Sequence, residues 1–222
     1  MTTAIILAAG KSERMGANVD KAFLSLIDKP VVAWSLLAFE RCADIDRIVL
    51  VVRKDQQLAA KAVAKMFGIS KLDKVVAGGK TRSESVAAGF AACDLDTRIV
   101  VVHDGARPLV KGELISEVVA AAKKSPSVTV GRPLTDSIKR VDKGTTVTES
   151  VPREKLWTVQ TPQAFQMKEF RAAMKAQGKK DVTDDCQMLE LNGVPTKIVQ
   201  SFKPNVKVTT PEDLLLAAAL LK

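Results

Sequence analysis

The chain has 222 residues and a formal net charge of +9, from 34 Lys and Arg against 25 Asp and Glu. This length suits a single α/β domain with a substantial core, which we expect over residues 1–222. The charge alone would suit a nucleic-acid binder, but the cations are spread along the whole chain without a basic helix or an aromatic-basic RNA motif. We therefore expect no nucleic-acid partner.

The apolar pattern argues against a membrane or secreted protein. Its apolar runs are all shorter than the roughly 18 residues of a membrane span. The first predicted strand begins almost at the N-terminus, so we expect no signal peptide and no membrane partner. Cys42, Cys93 and Cys186 are odd in number and far apart, which is typical of reduced thiols in a cytoplasmic protein.

The first predicted strand runs into small residues and then into cations. Ala8, Ala9 and Gly10 carry little or no side chain, so a ligand can approach the backbone and the amide groups can face phosphate oxygens. Arg14 and Lys21 follow and can bring charge to a reacting phosphorus. The spacing matches neither a Walker loop nor the dinucleotide-binding fingerprint, and it predicts a site for a triphosphate.

Strand and helix patterns then alternate along the chain. Short β-branched runs predict buried strands at residues 4–7, 48–52, 75–77, 99–103 and 128–131. The intervening patterns predict helices at residues 30–41, 56–66, 83–92 and 112–124. This alternation predicts a Rossmann-like α/β fold, with a mostly parallel, twisted sheet and helices on both faces. Ligands are then expected at the carboxyl ends of the strands.

A glycine-rich loop follows the third predicted strand. Gly78 and Gly79 free the backbone for close ligand contact. Arg82 and Ser85 open the next helix, whose N-terminal amides favour anions or polar base edges. The plain alternative is a helix cap with a flexible turn.

Three polar residues lie at the end of the fourth predicted strand. Asp104 is placed to bind Mg²⁺ or a substrate hydroxyl, and a turn or helix-capping acid is the alternative. Arg107 can make a two-pronged contact with a phosphate. His103, the single histidine of the chain, is interpreted as a neutral strand-end residue bonded to the backbone.

The alternation ends after the fifth predicted strand. Polar, β-prone runs at residues 136–141 and 145–151, joined by Asp-Lys-Gly, predict a β-hairpin. Because an isolated two-stranded ribbon is marginal in water, we expect this arm, at about residues 136–156, to pack on a second subunit. The remaining predicted elements are helices at residues 168–177 and 184–191, a strand at 196–200 and a last helix capped by Thr210.

Five sequence blocks, in order and over nearly the whole chain, resemble the 2-C-methyl-D-erythritol 4-phosphate cytidylyltransferase family. They are L-A-A-G-x-S-x-R-M-G with a later K, G-G-x-x-R-x-x-S-V, V-H-D-x-A-R-P, P-R-x-x-L-W-x-x-Q-T-P-Q and K-V-T-x-P-E-D. The first block alone is shared with sugar-nucleotide pyrophosphorylases and other nucleotidyltransferases. The resemblance implies Mg²⁺-dependent transfer of CMP from CTP to methylerythritol phosphate, with release of pyrophosphate, in non-mevalonate isoprenoid biosynthesis.

The resemblance also implies roles for individual residues. Arg14 and Lys21 would stabilise the transition state at the α-phosphate of CTP, and Arg153 and Lys207 would position the second substrate. Asp104 would meet the metal, directly or through water, or the ribose or the substrate. The implied nucleotide-binding residues are Ala8, Ala9, Gly10, Gly79, Arg82 and Ser85. The implied substrate-binding residues are Asp104, Arg107, Ser137 and Thr161.

The family resemblance further implies a homodimer. Its arm would cross to the partner, so that Arg153 and Thr161 would serve the neighbouring site. Three positions depart from the family pattern: Leu7 where proline is frequent, Lys80 where an acid is common, and Ser137 where threonine is usual.

Other functions remain open from the sequence. The nearest is a cytidylyltransferase for another polyol phosphate, such as ribitol 5-phosphate. A molybdopterin cytidylyl- or guanylyltransferase shares the first block but is not expected to carry the arm. A CTP-sensing protein without turnover would not need both Arg14 and Lys21, and a nucleic-acid binder is the other alternative from a different class.

Overall fold

A computed structural model describes residues 1–10, 20–177 and 182–222. Its strands are β1 (Thr2–Ala8), β2 (Ser25–Leu26), β3 (Lys29–Pro30), β4 (Arg47–Val52), β5 (Leu72–Ala77), β6 (Ile99–Asp104), β7 (Ser127–Pro133), β8 (Ile138–Val141), β9 (Val147–Val151), β10 (Trp157–Gln166) and β11 (Thr196–Gln200). Its α-helices are α1 (Val31–Arg41), α2 (Gln57–Met66), α3 (Arg82–Ala91), α4 (Gly112–Ala122), α5 (Met167–Gln177), α6 (Asp185–Glu190) and α7 (Pro211–Leu221).

Seven strands form one central sheet, in the order β11-β7-β10-β6-β1-β4-β5. The pairs β1–β4, β1–β6, β4–β5 and β7–β11 are parallel, whereas β10 runs antiparallel to both β6 and β7. The predicted α/β fold with a mostly parallel sheet is therefore confirmed.

The central strands are buried on both faces because helices cover each side of the sheet. Alternate side chains of β1 point to opposite faces, and Ile5 and Ile6 are both 0% exposed. Ile6 joins a core cluster with α1, α2 and α4, and Ile5 joins one with α3, α5 and α6. This explains why the strands read as continuous apolar runs rather than as alternating patterns.

Helix α7 is the last element of the chain and packs into a third, smaller hydrophobic cluster. Thr210 caps it through a capping box with Asp213, and Pro211 occupies its first turn, as the sequence predicted. Its buried side packs with Leu26 and Val208. None of the helices that the structure describes is long and apolar enough to span a membrane.

Strand β10 is the longest element that the sequence analysis missed; the two-residue strands β2 and β3 were not predicted either. It contains Pro162, which is rare inside a central strand, and its pairing with β7 shifts register between Gln160 and Gln163. Gln163 is only 1% exposed, and its side-chain amide donates to Thr129 Oγ1 at 3.1 Å. Such partners, distant in sequence, allow polar side chains inside the sheet.

The predicted hairpin is confirmed as a separate two-stranded sheet of β8 and β9. Gly144, in the turn, has a φ of +64°, a conformation that glycine adopts without steric cost. Arg140 pairs with Glu149 at 2.9 Å across the two strands, and both side chains are more than half exposed. Packing of this hairpin arm on a second subunit stays a prediction.

Candidate active site

A cavity of about 780 Å³ opens at the carboxyl ends of β1, β4, β5 and β6. Because these strands are parallel, the loops that follow them meet at one edge of the sheet. Backbone bonds extend this edge beyond the strands, as Gly78 N donates to Val52 O and Gly105 N to Leu7 O, both at 2.8 Å. The residues of the predicted site that line the cavity are Ala8, Ala9, Gly10, Lys21, Gly79, Arg82, Ser85, Asp104 and Lys207.

The glycines of the second loop are required by close packing. A Cβ on Gly78 would lie 2.4 Å from the Cβ of Ala9 and 2.7 Å from Ser85 Oγ. A Cβ on Gly79 would lie 2.2 Å from the Cβ of Glu84. The loops after β1 and β5 therefore approach each other at backbone distance, and this forms a narrow cleft with little side-chain cover.

The start of α3 is fixed by a capping box. Thr81 Oγ1 accepts from Glu84 N at 3.1 Å, and the Glu84 carboxylate accepts from Lys80 N and Thr81 N. Ser85 Oγ accepts from Gly79 N at 3.2 Å and donates to Thr81 O at 3.0 Å. The loop and the start of the helix are thus ordered by bonds within the chain. The N-terminal, positive end of the α3 dipole faces the cavity.

Asp104 is a buried carboxylate on the cavity wall and is surrounded by cations. Its Oδ2 lies 2.8 Å from Lys207 Nζ and 3.7 Å from Arg107 Nε, and its Oδ1 lies 3.8 Å from Arg82 Nε. Burial raises the pKa of the carboxyl, but these cations, with Lys207 foremost, outweigh burial and bring the pKa to about 2. Asp104 is therefore ionised throughout the physiological pH range.

Arg82 connects Asp104 to a second buried acid that sequence reasoning missed. Its Nη2 donates to Asp185 Oδ2 at 2.7 Å, and the side chain of Asp185 is 4% exposed. Burial disfavours the charged guanidinium, but Asp185 and Asp104 outweigh it and raise the pKa of Arg82. Asp185 follows the cap of α6, and no local pattern indicates that its partner lies 103 residues away.

Lys207 reaches the cavity because the segment before α7 is tied to the end of β6. Val208 N donates to Ala106 O at 2.8 Å, and Asn205 Nδ2 donates to Thr161 O at 2.8 Å. Asn205 is 4% exposed, and its backbone carbonyl accepts from Arg107 Nη1 at 2.7 Å. Asn205 is thus a second residue that sequence reasoning missed.

Arg107 and Thr161 were predicted to contact the substrate, but their side chains are engaged by residues of their own chain. The Arg107 side chain is only 12% exposed, and it is engaged by Asn205 O and Asp104. Thr161 is 5% exposed, and its hydroxyl accepts from Asp104 N at 3.0 Å and meets His103 Nδ1 at 3.2 Å. The expectation that Thr161 reaches a neighbouring site is therefore corrected: the register of β10 beside β6 places it next to Asp104 of its own chain.

His103 is buried and neutral, as the sequence analysis interpreted it. Burial lowers its pKa to about 3. One ring nitrogen contacts Thr161 Oγ1, and the other contacts Arg107 O at 3.3 Å. The ring is 0% exposed, so it cannot meet a substrate.

Arg153 and Ser137 lie at the base of the hairpin arm, outside the cavity lining. The Arg153 guanidinium donates to Thr135 O, and both Arg153 and Ser137 are exposed. Arg14 falls outside the described residues, so its predicted role stays a prediction. Lys21 begins a short 3₁₀ turn, Lys21–Phe23, on the cavity wall.

The acids of the described chain do not form a multi-carboxylate metal centre. Within residues 1–10, 20–177 and 182–222, no group of three or more His, Cys, Asp or Glu is arranged to hold a metal. Mg²⁺ at nucleotide sites commonly uses one or two carboxylates together with substrate phosphates. Asp104, ionised and on the cavity wall, fits that donor set.

Comparisons with known proteins identify the family of the chain. The family model described as IspD: 2-C-methyl-D-erythritol 4-phosphate cytidylyltransferase matches residues 2–222. A 2-C-methyl-D-erythritol 4-phosphate cytidylyltransferase of Alkaliphilus oremlandii is 38% identical over 224 residues, which cover 100% of this chain and 95% of that protein. One from Dehalococcoides mccartyi is 42% identical over 220 residues, covering 99% and 95%.

Solved structures lead to the same family. The crystal structure of 4-diphosphocytidyl-2C-methyl-D-erythritol synthase from Anaerococcus prevotii is similar with a TM-score of 0.86 and 30% identity. The match covers 99% of this chain and 97% of that one. The resemblance drawn from the five sequence blocks is confirmed, and the chain belongs to the 2-C-methyl-D-erythritol 4-phosphate cytidylyltransferase family.

Proposed function

We propose that the cavity at the carboxyl edge of the sheet transfers CMP from CTP to 2-C-methyl-D-erythritol 4-phosphate. The products are 4-diphosphocytidyl-2-C-methyl-D-erythritol and pyrophosphate. The observation that carries the proposal is the arrangement of Lys21, Arg82 and Lys207 around a cavity that is lined in part by alanines and glycines, in a chain of this family. Such a site suits a polyanionic nucleotide.

The nucleotide is proposed to bind between the loops after β1 and β5. Ala8, Ala9 and Gly10 present backbone on one side, and Gly79 and Ser85 do so on the other. The narrow cleft between them suits a planar base, with polar contacts from backbone and from the Ser85 hydroxyl. Arg82 lines the cavity beside this half, and its guanidinium is held in place by Asp185.

The reaction needs charge neutralisation more than proton transfer. A phosphate oxygen of the second substrate attacks the α-phosphorus of CTP, and the bond from that phosphorus to the bridging oxygen breaks, so that pyrophosphate leaves with the electron pair. The attacking phosphate is mostly dianionic at neutral pH, because its second pKa is about 6. Neutral, buried His103 is not needed as a base. Lys21, together with Arg14, is proposed to stabilise the charge that develops at the α-phosphate.

Asp104 is proposed to hold Mg²⁺, directly or through water. A metal held there would supply positive charge that offsets the charge of the substrate phosphates. Lys207 and Arg107 keep the Asp104 carboxylate ionised and oriented toward the cavity. Thr161 fixes the backbone of Asp104 from the opposite side.

The second substrate and the subunit arrangement are proposed together. Arg153 and Ser137 lie on the hairpin arm, away from their own cavity, so we assign them to the site of a second copy in a homodimer. Apolar side chains exposed on the arm and at the start of β10 support this assignment, since a partner surface would bury them. They are Val141, Val147, Leu156, Trp157 and Val159. A cytoplasmic location completes the proposal.

The direct test is pyrophosphate release by the purified chain. Pyrophosphate is expected only when CTP, Mg²⁺ and methylerythritol phosphate are all present. Faster turnover with ribitol 5-phosphate would overturn the assignment of the second substrate, and equal turnover with ATP or GTP would overturn the base. CTP binding without any turnover would identify a sensor instead.

A further inference from the structure

Asp20 lies on the cavity wall immediately before Lys21, and its side chain is only 9% exposed. The sequence motifs assign it no role. A carboxylate in a cavity for polyanions repels the ligand, so we expect this one to have a structural role. The contacts of its side chain identify that role.

One carboxylate oxygen of Asp20 caps the turn that begins with Lys21. Oδ1 accepts from Ala22 N at 3.1 Å, and the backbone carbonyl of Asp20 accepts from Phe23 N at 3.1 Å. Both bonds join Asp20 to the residues that follow Lys21, so together they fix the backbone of Lys21 between them. Ala22 is 4% exposed and belongs to the same core cluster as Ala8, which anchors the turn against β1.

The other carboxylate oxygen of Asp20 has a charged neighbour among the described residues but no hydrogen bond to them. Within the described part of the chain, Asp20 Oδ2 has no hydrogen-bond partner, and Arg53 Nε lies 3.7 Å away. Arg53 is itself bound to Asp55, at 2.6 Å from Nη2. Burial raises the pKa of Asp20, consistent with a carboxylate that is only partly compensated.

We propose that Asp20 is a positioning residue for Lys21: it holds the turn so that the lysine side chain meets the reacting phosphate, without touching the substrate itself. The inference rests on the proposed function, in which Lys21 stabilises the transition state. Asp20 then affects kcat through Lys21 alone.

A double-mutant cycle tests this dependence. Asp20→Ala removes the cap and is expected to lower kcat about five- to tenfold, with the KM for CTP changed less than about twofold, as for the loss of one helix cap expressed in the transition state. In a Lys21→Ala background, the same substitution is expected to change kcat by less than about twofold. Asp20→Asn retains an equally good cap and is expected to recover most of the loss.

Asp46→Ala serves as the matched control. The Asp46 carboxylate accepts from Thr2 N at the opposite end of β1, so its loss removes a comparable bond far from the cavity. Thermal unfolding of every variant separates loss of fold from loss of positioning.

Three results decide the matter. The inference is overturned if the kcat losses of Asp20→Ala and Lys21→Ala multiply in the double variant. It is also overturned if Asp20→Ala raises only the KM, or if Asp20→Asn is as slow as Asp20→Ala. A Lys21→Ala enzyme as fast as the wild type would overturn the proposed role of Lys21 and this inference with it. A strong Lys21→Ala loss with multiplying effects overturns the inference alone and leaves the proposed function intact.

Discussion

Two arginine–carboxylate pairs in this molecule have almost the same length and opposite surroundings. Arg82 meets Asp185 at 2.7 Å beside the cavity, where the Asp185 side chain is 4% exposed. Arg140 meets Glu149 at 2.9 Å on the hairpin arm, where the two side chains are 61% and 53% exposed. Contact length alone therefore does not distinguish a pair that organises a site from one that lies on a surface.

The difference extends to the whole of each region. At and behind the cavity wall, Asp104, Arg107 and Thr161 find their partners within the same chain and are nearly buried. On the arm, polar side chains face solvent, and apolar ones such as Val147, 52% exposed, have no cover in the described chain. The described residues around Asp104 are thus satisfied within one chain, whereas the arm leaves apolar side chains exposed, which supports the proposed contact with a second copy.

The largest expected effect concerns Lys21. Lys21→Ala is expected to lower kcat by about 10²-fold, because a cation that stabilises transition-state charge is worth roughly 3 kcal/mol. The KM for CTP should change little. Steady-state kinetics measures both, and a rise in KM with unchanged kcat would make Lys21 a ground-state binder. Lys123→Ala is the matched control, since that lysine is 57% exposed and pairs with Asp44 away from the cavity lining.

The next effect concerns the buried pair. Arg82→Ala leaves Asp185 buried without its cation and is expected to destabilise the fold by about 3 kcal/mol. Urea unfolding measures this loss. Arg82→Ala together with Asp185→Asn should recover part of it, because the uncompensated charge is then gone. A single Arg82→Ala variant as stable as the wild type would contradict the distinction between the two pairs.

A smaller effect concerns acid stability. The pKa of Asp104 is lowered from 3.8 to about 2, so its folded state favours the ionised form. The resulting stabilisation, about 2 kcal/mol, is fully present above pH ~4 and is lost as the pH falls from about 4 to about 2. Unfolding free energies of the wild type and Asp104→Asn should therefore converge over that interval. A difference that stays constant with pH would contradict the electrostatic account of the cavity.

The smallest effect concerns the exposed pair. Arg140→Ala is expected to change the free energy of unfolding by less than about 0.5 kcal/mol, because both charges remain solvated when separated. The same urea titration measures it. A loss as large as that of Arg82→Ala would show that the arm is packed against something that the single chain does not contain.

The local sequence pattern predicted most of the fold because most strands and helices show their own apolar periodicity and end signals. Strand β11 has the predicted bounds, 196–200, and α2 differs from its prediction by one residue. The pattern failed at β10, where Pro162 and the buried Gln163 read as loop residues. That strand is stabilised by neighbours on both sides, which are distant in sequence.

The site shows the same limit. Small residues, glycines and strand-end acids marked the cavity correctly, since Ala9, Gly79 and Asp104 all line it. The pattern could not show that Arg107 is engaged by Asn205, 98 residues away, or that Thr161 lies beside Asp104. Whether a polar side chain faces a ligand or a distant partner is decided by packing rather than by local sequence.

Mixing two inactive variants tests the contrast between cavity and arm most directly. Arg153→Ala lacks the arm contact and Lys21→Ala lacks the cavity cation, so in a mixed dimer one site would carry both lesions and the other none. With random exchange about half the dimers are mixed, and up to roughly a quarter of wild-type activity is expected, given symmetric pairing. No recovery after exchange, verified by mass-tagged subunits, would contradict the account and place Arg153 in the site of its own chain.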